Sequence, residues 1–156
     1  WKNKIKSNTQ FDGFISALDI FKTSLEVSNV NDDLMANADG KNIMNYLNDN
    51  TIQNENLFWR KDKMATVRSG NYKLIKLNDT STVLYNIENN YFEDLDLKLK
   101  EPSVHDSLFK LLLAWEDRLI DPNWIENKDW NIVTEMIYED LMANKDIRAV
   151  SPKDLN

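Results

Sequence analysis

One stretch, Phe58 to Ile87, limits what this chain can fold into more than any other part of the sequence. Four short apolar or aromatic runs follow one another there, and each of the three breaks between them has turn-type residues. Gly and Asn tolerate φ > 0 in tight hairpins, and Asn and Asp side chains bond their own backbone. The stretch therefore predicts an antiparallel meander of four strands. The breaks are Lys61-Asp62-Lys63, Ser69-Gly70-Asn71 and Asn78-Asp79-Thr80.

The alternation of strand side chains assigns residues of the meander to two faces. Lys73 and Lys76 fall on opposite faces among apolar neighbours, so we expect one of the two lysines to snorkel or to lie at an edge. The residues predicted to share a face are Tyr72 with Leu74, and Val83 with Tyr85 and Ile87.

Two helices are predicted before the meander. Apolar residues recur at helical spacing from Phe11 to Ser28, and Asp12 or Ser16 can cap the start. The turn Asp39-Gly40-Lys41 then leads into a short helix over residues 43–47.

Residues 89–100, after the meander, favour either a short edge strand or an extended linker. Two more helices are predicted beyond them. Pro102 and Ser103 begin the first helix, Asp106 completes a capping box with Ser103, and Pro122 ends the helix. Polar residues 144–156 are expected to be mobile. The apolar stripe of the first helix is Val104, Leu108, Leu111, Leu112, Trp115 and Leu119, and that of the second is Trp130, Val133, Ile137 and Leu141.

Composition limits the size and the partners of this fold. With 156 residues, of which 42% are hydrophobic, the chain can bury one core and hardly two. The predicted fold class is α+β, with a small four-stranded antiparallel sheet packed against a long C-terminal helix. A net charge of −7 with scattered basic residues disfavours nucleic acid as a partner. No apolar run approaches the roughly 20 residues of a membrane span, so we expect no membrane partner.

Cysteine, histidine and acidic residues offer little for catalysis. The lack of Cys excludes disulfides, thiolate nucleophiles and Cys-ligated zinc. His105, the single His, is expected to be a solvated surface residue. Asp32-Asp33 and Asp94 to Asp96 have oxygen ligands for a hard cation but lack the alternation and Gly of a calcium loop. We expect most of four tryptophans to be core or interface anchors and not sugar platforms. These are Trp59, Trp115, Trp124 and Trp130.

Six short motifs follow one another in a recognisable order. They are ALDIFKT at 17–23, Asp-Gly-Lys at 39–41 before a short helix, LFWR at 57–60, ATVRSGNYKLI at 65–75, LYNIENNYFEDL at 84–95, and a helix containing Trp115. Together they resemble the C-terminal part of a formylglycine-dependent sulfatase of the alkaline-phosphatase-like superfamily.

The resemblance implies that residues 1–50 end an α/β catalytic domain, 51–143 form a sheet-plus-helix subdomain, and 144–156 form a polar tail. It also implies hydrolysis of a sulfated carbohydrate or a related sulfate ester, in the periplasm or outside the cell.

The family's nucleophile motif, Cys or Ser followed by x-Pro-x-Arg, is absent, because none of the three prolines has Arg two places later. Calcium and formylglycine are therefore expected in a part of the enzyme that precedes this chain, whose remaining catalytic domain would be its partner. The isolated chain is expected to be inactive. It has no initiating Met, and we expect Trp1 to follow a cut.

If this resemblance holds, the early strands lie near the substrate cleft. Arg60, Arg68 and Trp59 are the candidate substrate-edge residues, because a guanidinium binds sulfate oxygens bidentately and is charged at any working pH. The alternative is that the arginines pair with acids such as Asp62 or Glu88, or bridge two subdomains.

Two other functions remain open. The C-terminal sheet domain of an amylase-like glycoside hydrolase also has an "RxGxYxLL" hairpin, but it would continue into further strands, whereas residues 102–120 are helical in pattern. A non-catalytic interaction or sugar-binding module would need exposed aromatic residues on the meander, where the pattern points most of them inward.

Overall fold

The computed structural model describes residues 1–29, 37–49, 56–78, 81–89, 91–124 and 127–155. The chain divides into two compact units, residues 1–57 and 58–156. In chain order the elements are α1 (Ala17–Val27), α2 (Ile43–Asp49), β1 (Leu57–Lys61), β2 (Met64–Ser69), β3 (Tyr72–Lys76), β4 (Thr82–Asn86), α3 (Pro102–Glu116), α4 (Lys128–Met142) and a 3-10 helix (Pro152–Leu155).

The start of α1 is set by a capping box. The Ser16 hydroxyl accepts a hydrogen bond from the backbone of Leu18 at 3.3 Å, and the Asp19 carboxylate accepts one from the Ser16 N–H at 2.7 Å. The predicted cap at Ser16 is confirmed, and the predicted start at Phe11 is wrong, because the cap places the first helical residue at Ala17.

The turn before α2 packs closely on α1. Gly40 has φ +90°, and a Cβ there would lie 2.5 Å from the backbone of Leu18, so both conformation and space require glycine. Asp19 accepts from the backbone of Lys41 at 2.8 Å, and Thr23 accepts from the backbone of Ile43 at 2.9 Å. These two side chains connect α1 to the start of α2, which confirms the predicted turn and short helix.

The sheet has the strand order β1-β2-β3-β4, with antiparallel pairing of β2 with β3 and of β3 with β4. This confirms the predicted meander. Gly70 takes the left-handed conformation, φ 55°, in the turn between β2 and β3, and Asp62 takes φ 53° between β1 and β2. Asn78 accepts from the backbone N–H of Ser81 at 2.8 Å, as expected of a turn asparagine.

One face of the sheet packs on α3. Leu108 and Leu112 of this helix are buried, and Trp115 stacks on Phe58 of β1 with ring centroids 5.0 Å apart. The fold class α+β is thereby confirmed. The buried residues of this face are Ala65, Val67, Leu74, Leu84, Leu108 and Leu112.

Both predicted limits of α3 need correction. Pro102 is the first helical residue, where its missing N–H costs nothing, and Glu101 precedes it without a side-chain cap. The Ser103 capping box is therefore wrong, and Asp106 lies 3.1 Å from the His105 ring instead. The helix ends at Glu116, before Pro122, so Leu119 lies beyond its stripe.

The opposite face of the sheet has a smaller core. Ile75, Leu77, Val83 and Tyr85 are buried there, and Tyr138 and Met142 of α4 pack against them. Burial, and then the nearby carboxylates of Glu93, Asp96 and Asp94, raises the pKa of Tyr85 to about 12.

Both lysines of β3 form ion pairs. Lys76 Nζ lies 2.7 Å from Glu116 of α3, and Lys73 Nζ lies 2.8 Å from Glu93. The expected edge position is wrong, since β3 is a central strand, and each lysine reaches a carboxylate.

Residues 91–100 form a linker and contain no strand among those described. Asp96 accepts from the backbone N–H of Leu84 at 3.0 Å, and the N–H of Leu97 donates to the Leu84 carbonyl at 2.8 Å. The linker thus satisfies backbone groups of β4 that the sheet leaves unpaired.

The polar tail folds against α4, contrary to the expectation from its composition. Ala149 is buried, and buried Asp140 of α4 accepts from the Arg148 backbone at 2.9 Å and from its Nε at 2.7 Å. These hydrogen bonds, the backbone one foremost, lower the pKa of Asp140 despite its burial.

Candidate functional site

The three predicted substrate-edge residues lie on β1 and β2, but strand alternation separates them. Arg60 shares a face with Phe58, which packs in the α3 core. Trp59 and Arg68 share the opposite face with Met64, which packs toward α4. The structure therefore brings Trp59 and Arg68 to one side of the sheet and places Arg60 on the other.

Arg60 has a structural contact. Its Nη2 donates to the carbonyl of Ile120, 2.6 Å away, in the segment that follows α3. The acids considered as alternative partners are engaged elsewhere, since Asp62 accepts from Asn131 at 2.8 Å and Glu88 accepts from the Asn71 amide. Arg60 thus connects β1 to the chain after α3.

Arg68 lines a shallow groove with a volume of 550 Å³, called the Arg68 groove below. Arg68 Nε donates weakly to the Gly70 carbonyl at 3.4 Å, and Lys73 lies opposite Arg68 in the β2–β3 register. Tyr91 is 84% exposed at the rim. The Arg68 guanidinium, the Asn71 amide and the Tyr91 ring suit a polar ligand such as a sugar. The carboxylates of Glu88 and Glu93 offset the charge of the guanidinium. The lining residues are Arg68, Asn71, Ile87, Glu88, Tyr91 and Glu93.

The tryptophans are more exposed than expected. Trp115 alone among the four predicted anchors lies in the described core, where it stacks on Phe58. Trp59 is 51% exposed, Trp130 44% and Trp124 88%. Trp59 lies on edge strand β1, a position that residue type alone does not reveal.

A second concavity, called the lysine cleft below, was missed in the sequence. It lies between the β1–β2 turn and α4 and has a volume of 520 Å³. In the sequence Lys61-Asp62-Lys63 indicates only a turn, and α4 begins more than 60 positions later. The cleft is lined by Lys61, Asp62, Lys63, Met64, Lys128, Asn131, Ile132, Thr134 and Glu135.

His105 is partly buried, which corrects the expectation of a solvated residue. Its side chain is 17% exposed, Nε2 lies 2.9 Å from the Thr82 hydroxyl, and the ring stacks on Phe109. With Asp106 at 3.1 Å from Nδ1, the order of groups resembles an acyl-transfer triad. None of the cavities described above includes Thr82, however, so the ring serves to connect β4 to α3.

Cation and membrane sites receive no support from the described residues. Among them no group of three or more His, Asp or Glu side chains could hold a metal ion. Asp32-Asp33 lies outside the described ranges, and Asp96 is occupied by the backbone N–H groups of Leu84 and Lys98. In this part of the chain no helix combines the length and apolarity that crossing a membrane requires.

Two crystal structures share the fold of this chain, whereas no protein-family model and no curated protein matches it. They are Ps i-CgsB alone and Ps i-CgsB in complex with k-i-k-neocarrahexaose, both with a TM-score of 0.67 and 20% sequence identity. Each match covers 85% of this chain and 31% of the other, so this chain spans less than a third of the matched protein. At this level of identity the likeness shows a shared fold.

Proposed function

We propose that this chain is the C-terminal part of a sulfatase that hydrolyses a sulfated carbohydrate or a related sulfate ester. The observation that carries the proposal is the fold match, which covers 85% of the chain, with a protein crystallised with k-i-k-neocarrahexaose. The six ordered motifs are a second support, because they come from the sequence and not from the fold match. They lie in α1, the turn before α2, β1, the β2–β3 hairpin, β4 with its linker, and α3. The enzyme would act in the periplasm or outside the cell.

In this proposal the chain shapes the fold and one wall of the substrate cleft. Formylglycine and calcium would be supplied by the remainder of the enzyme, because the nucleophile motif is absent from this sequence. The described residues do not fit a calcium ion, since they offer no cluster of three acidic or His ligands. No step of the reaction is therefore assigned to them.

Among the three substrate-edge candidates, the contacts favour Arg68 and Trp59 over Arg60 for this role. Arg68 lines a groove, where its guanidinium can meet a sulfate group. Arg60 donates to the Ile120 carbonyl, which favours a structural role for it.

A second candidate function is a non-catalytic sugar-binding module. The 51% exposure of Trp59 on β1 and the exposed ring of Tyr91 favour it, because such a module needs exposed aromatic residues near the meander. The amylase-like alternative is weaker, since the described chain continues after β4 into α3 and α4.

The test is sulfate release from a sulfated carrageenan oligosaccharide by the longer protein that includes this chain. We expect turnover that is lost when the Cys or Ser of a Cys/Ser-x-Pro-x-Arg motif in that protein is replaced by Ala, since formylglycine formation needs this residue. The 156-residue chain alone should release no sulfate. A longer protein that binds the oligosaccharide without releasing sulfate would instead support the sugar-binding module.

The same assay separates the two arginines. Arg68→Gln should raise KM for the sulfated oligosaccharide several-fold and leave a small aryl sulfate almost unchanged, because only the larger substrate reaches the groove. Arg60→Gln should change neither KM but lower the Tm. Equal loss of activity on both substrates in Arg68→Gln would show that Arg68 is structural.

A further inference from the structure

The lysine cleft has walls that are held in place by a directed contact. Asp62 adopts φ 53° in the β1–β2 turn, and its carboxylate accepts from the Asn131 amide of α4 at 2.8 Å. This hydrogen bond connects the turn to the helix across the cleft. The concavity is therefore built by a turn and a helix that are attached to each other.

The charge of the cleft is opposite to that of the chain. Three exposed lysines line it, Lys61, Lys63 and Lys128, in a chain with a net charge of −7. Two acids, Asp62 and half-buried Glu135, oppose them, and Asp62 keeps its charge while it accepts from the neutral Asn131 amide. The lining thus carries one more positive than negative charge, which favours an anionic ligand over a cationic one.

The cleft also has an apolar floor and an aromatic neighbour. Met64 and Ile132 line it, and Ile132 is 47% exposed. Trp59 is two residues before Lys61 on the same strand face, roughly 7 Å along the strand. Its ring is 51% exposed. An exposed indole next to cations combines a surface for a sugar ring with charges for its sulfate groups.

We infer that the lysine cleft and Trp59 form a binding subsite for a sulfated oligosaccharide. The ammonium groups of Lys63 and Lys128 bind a sulfate group through charge-assisted hydrogen bonds, and a neighbouring sugar ring stacks on Trp59. The volume of 520 Å³ lies within the range of small-molecule sites. The choice of a sulfated sugar among anions rests on the proposed function. The shape and the charge of the cleft are observed independently of that function.

The experiment is calorimetric titration of the 156-residue chain with a sulfated neocarrahexaose and with the same hexasaccharide after desulfation. We expect the sulfated sugar to bind and the desulfated sugar to bind at least about tenfold more weakly, since one charged hydrogen bond contributes roughly a factor of ten. Added salt should weaken only the sulfated interaction, because the lysines are exposed.

Variants locate the interaction. Lys63→Gln with Lys128→Gln should weaken binding of the sulfated sugar about tenfold or more. Lys100→Gln with Lys110→Gln removes the same charge at exposed positions outside the cleft and should leave affinity unchanged. Trp59→Ala should weaken both sugars. Equal affinities for the two double variants, or no binding by the unaltered chain, would overturn the subsite, and far-UV circular dichroism checks that each variant is folded.

The outcome is separable from that of the proposed function. Sulfate release by the longer protein without binding at this cleft would leave the proposed function standing and overturn the subsite. Binding that depends on Lys63 and Lys128 without any sulfate release would support the subsite and count against the sulfatase.

Discussion

The two faces of the sheet differ in how completely they are covered. The face under α3 is closed by a helix of 15 residues, and its buried cluster includes side chains from β2, β3, β4 and the helix itself. The face under α4 has a smaller buried cluster, and both the Arg68 groove and the lysine cleft lie on it. Trp59 belongs to this second face as well. The comparison indicates that the larger core lies under α3, whereas the Arg68 groove and the lysine cleft, of 550 and 520 Å³, lie on the α4 face. The α3 face keeps a smaller cavity of 350 Å³, lined by Ser69, Tyr72, Ser103, Val104, Ser107 and Leu108.

The largest effect on stability should come from a cavity in the core under α3. Leu112 of α3 is 0% exposed in the core, so Leu112→Ala should lower the free energy of unfolding by about 2–5 kcal/mol through lost contacts and a cavity. Urea denaturation followed by circular dichroism measures this change.

The neighbouring residue is the control. Leu113 is 43% exposed, and Leu113→Ala should cost less than about 1 kcal/mol. Equal destabilisation by the two variants would show that α3 does not cover the sheet as described.

The second-largest effect on stability should come from breaking the ion pair between Lys76 and Glu116 on the same face. Lys76 and Glu116 have side chains only 10% and 14% exposed, and Glu116 Oε2 lies 2.7 Å from Lys76 Nζ without completing a hydrogen bond there. Glu116→Gln leaves the buried ammonium without its counter-charge, so we expect a loss of about 3 kcal/mol, since breaking a buried pair is costly. Chemical denaturation again provides the measurement.

The double variant Lys76→Met with Glu116→Leu sharpens this test. Because it removes both charges, it should recover most of the stability lost in Glu116→Gln. A double variant as unstable as the single one would mean that packing and not charge accounts for the loss.

The smallest effect on stability should come from the contact between α4 and the C-terminal tail, where Asp140 binds Arg148. The folded-state pKa of Asp140 is depressed, so its contribution to stability is present above the ordinary aspartate pKa of 3.8 and is lost as pH falls through the folded value. Asp140→Asn should therefore lower the Tm at pH 7, and the difference from the unaltered chain should shrink below pH 3.8.

Glu139→Gln is the matched control for this prediction. Glu139 also contacts Arg148, at 3.2 Å, but its side chain is 50% exposed, so the Tm should hardly change at any pH. A Tm difference for Asp140→Asn that stays constant from pH 7 to pH 3 would contradict the assignment to ionisation.

Some parts of the fold and site could be predicted from local residues alone. The turn residues and the period-two pattern sufficed for the four strands, and Ser16 with Asp19 sufficed for the cap of α1, because these signals act within a few residues. The order of the motifs led to the sulfatase resemblance, and two crystal structures share the fold of the chain that carries those motifs.

Other features depended on contacts between distant residues. Nothing near Lys76 in the sequence indicates Glu116, and nothing near the β1–β2 turn indicates that Asn131 and Lys128 lie across a cleft from it. The exposure of Trp59 and the burial of His105 likewise follow from which element covers each face. Sequence by itself determined the four strands and their turns and indicated the helices, since local propensity and periodicity specify them. The predicted stripes were only partly correct, because Leu119 lies beyond α3, and Trp130 and Leu141 of α4 are exposed. Only the tertiary structure decided which face is closed, which charges pair and where a ligand can bind, because these depend on residues that come together only when the chain folds.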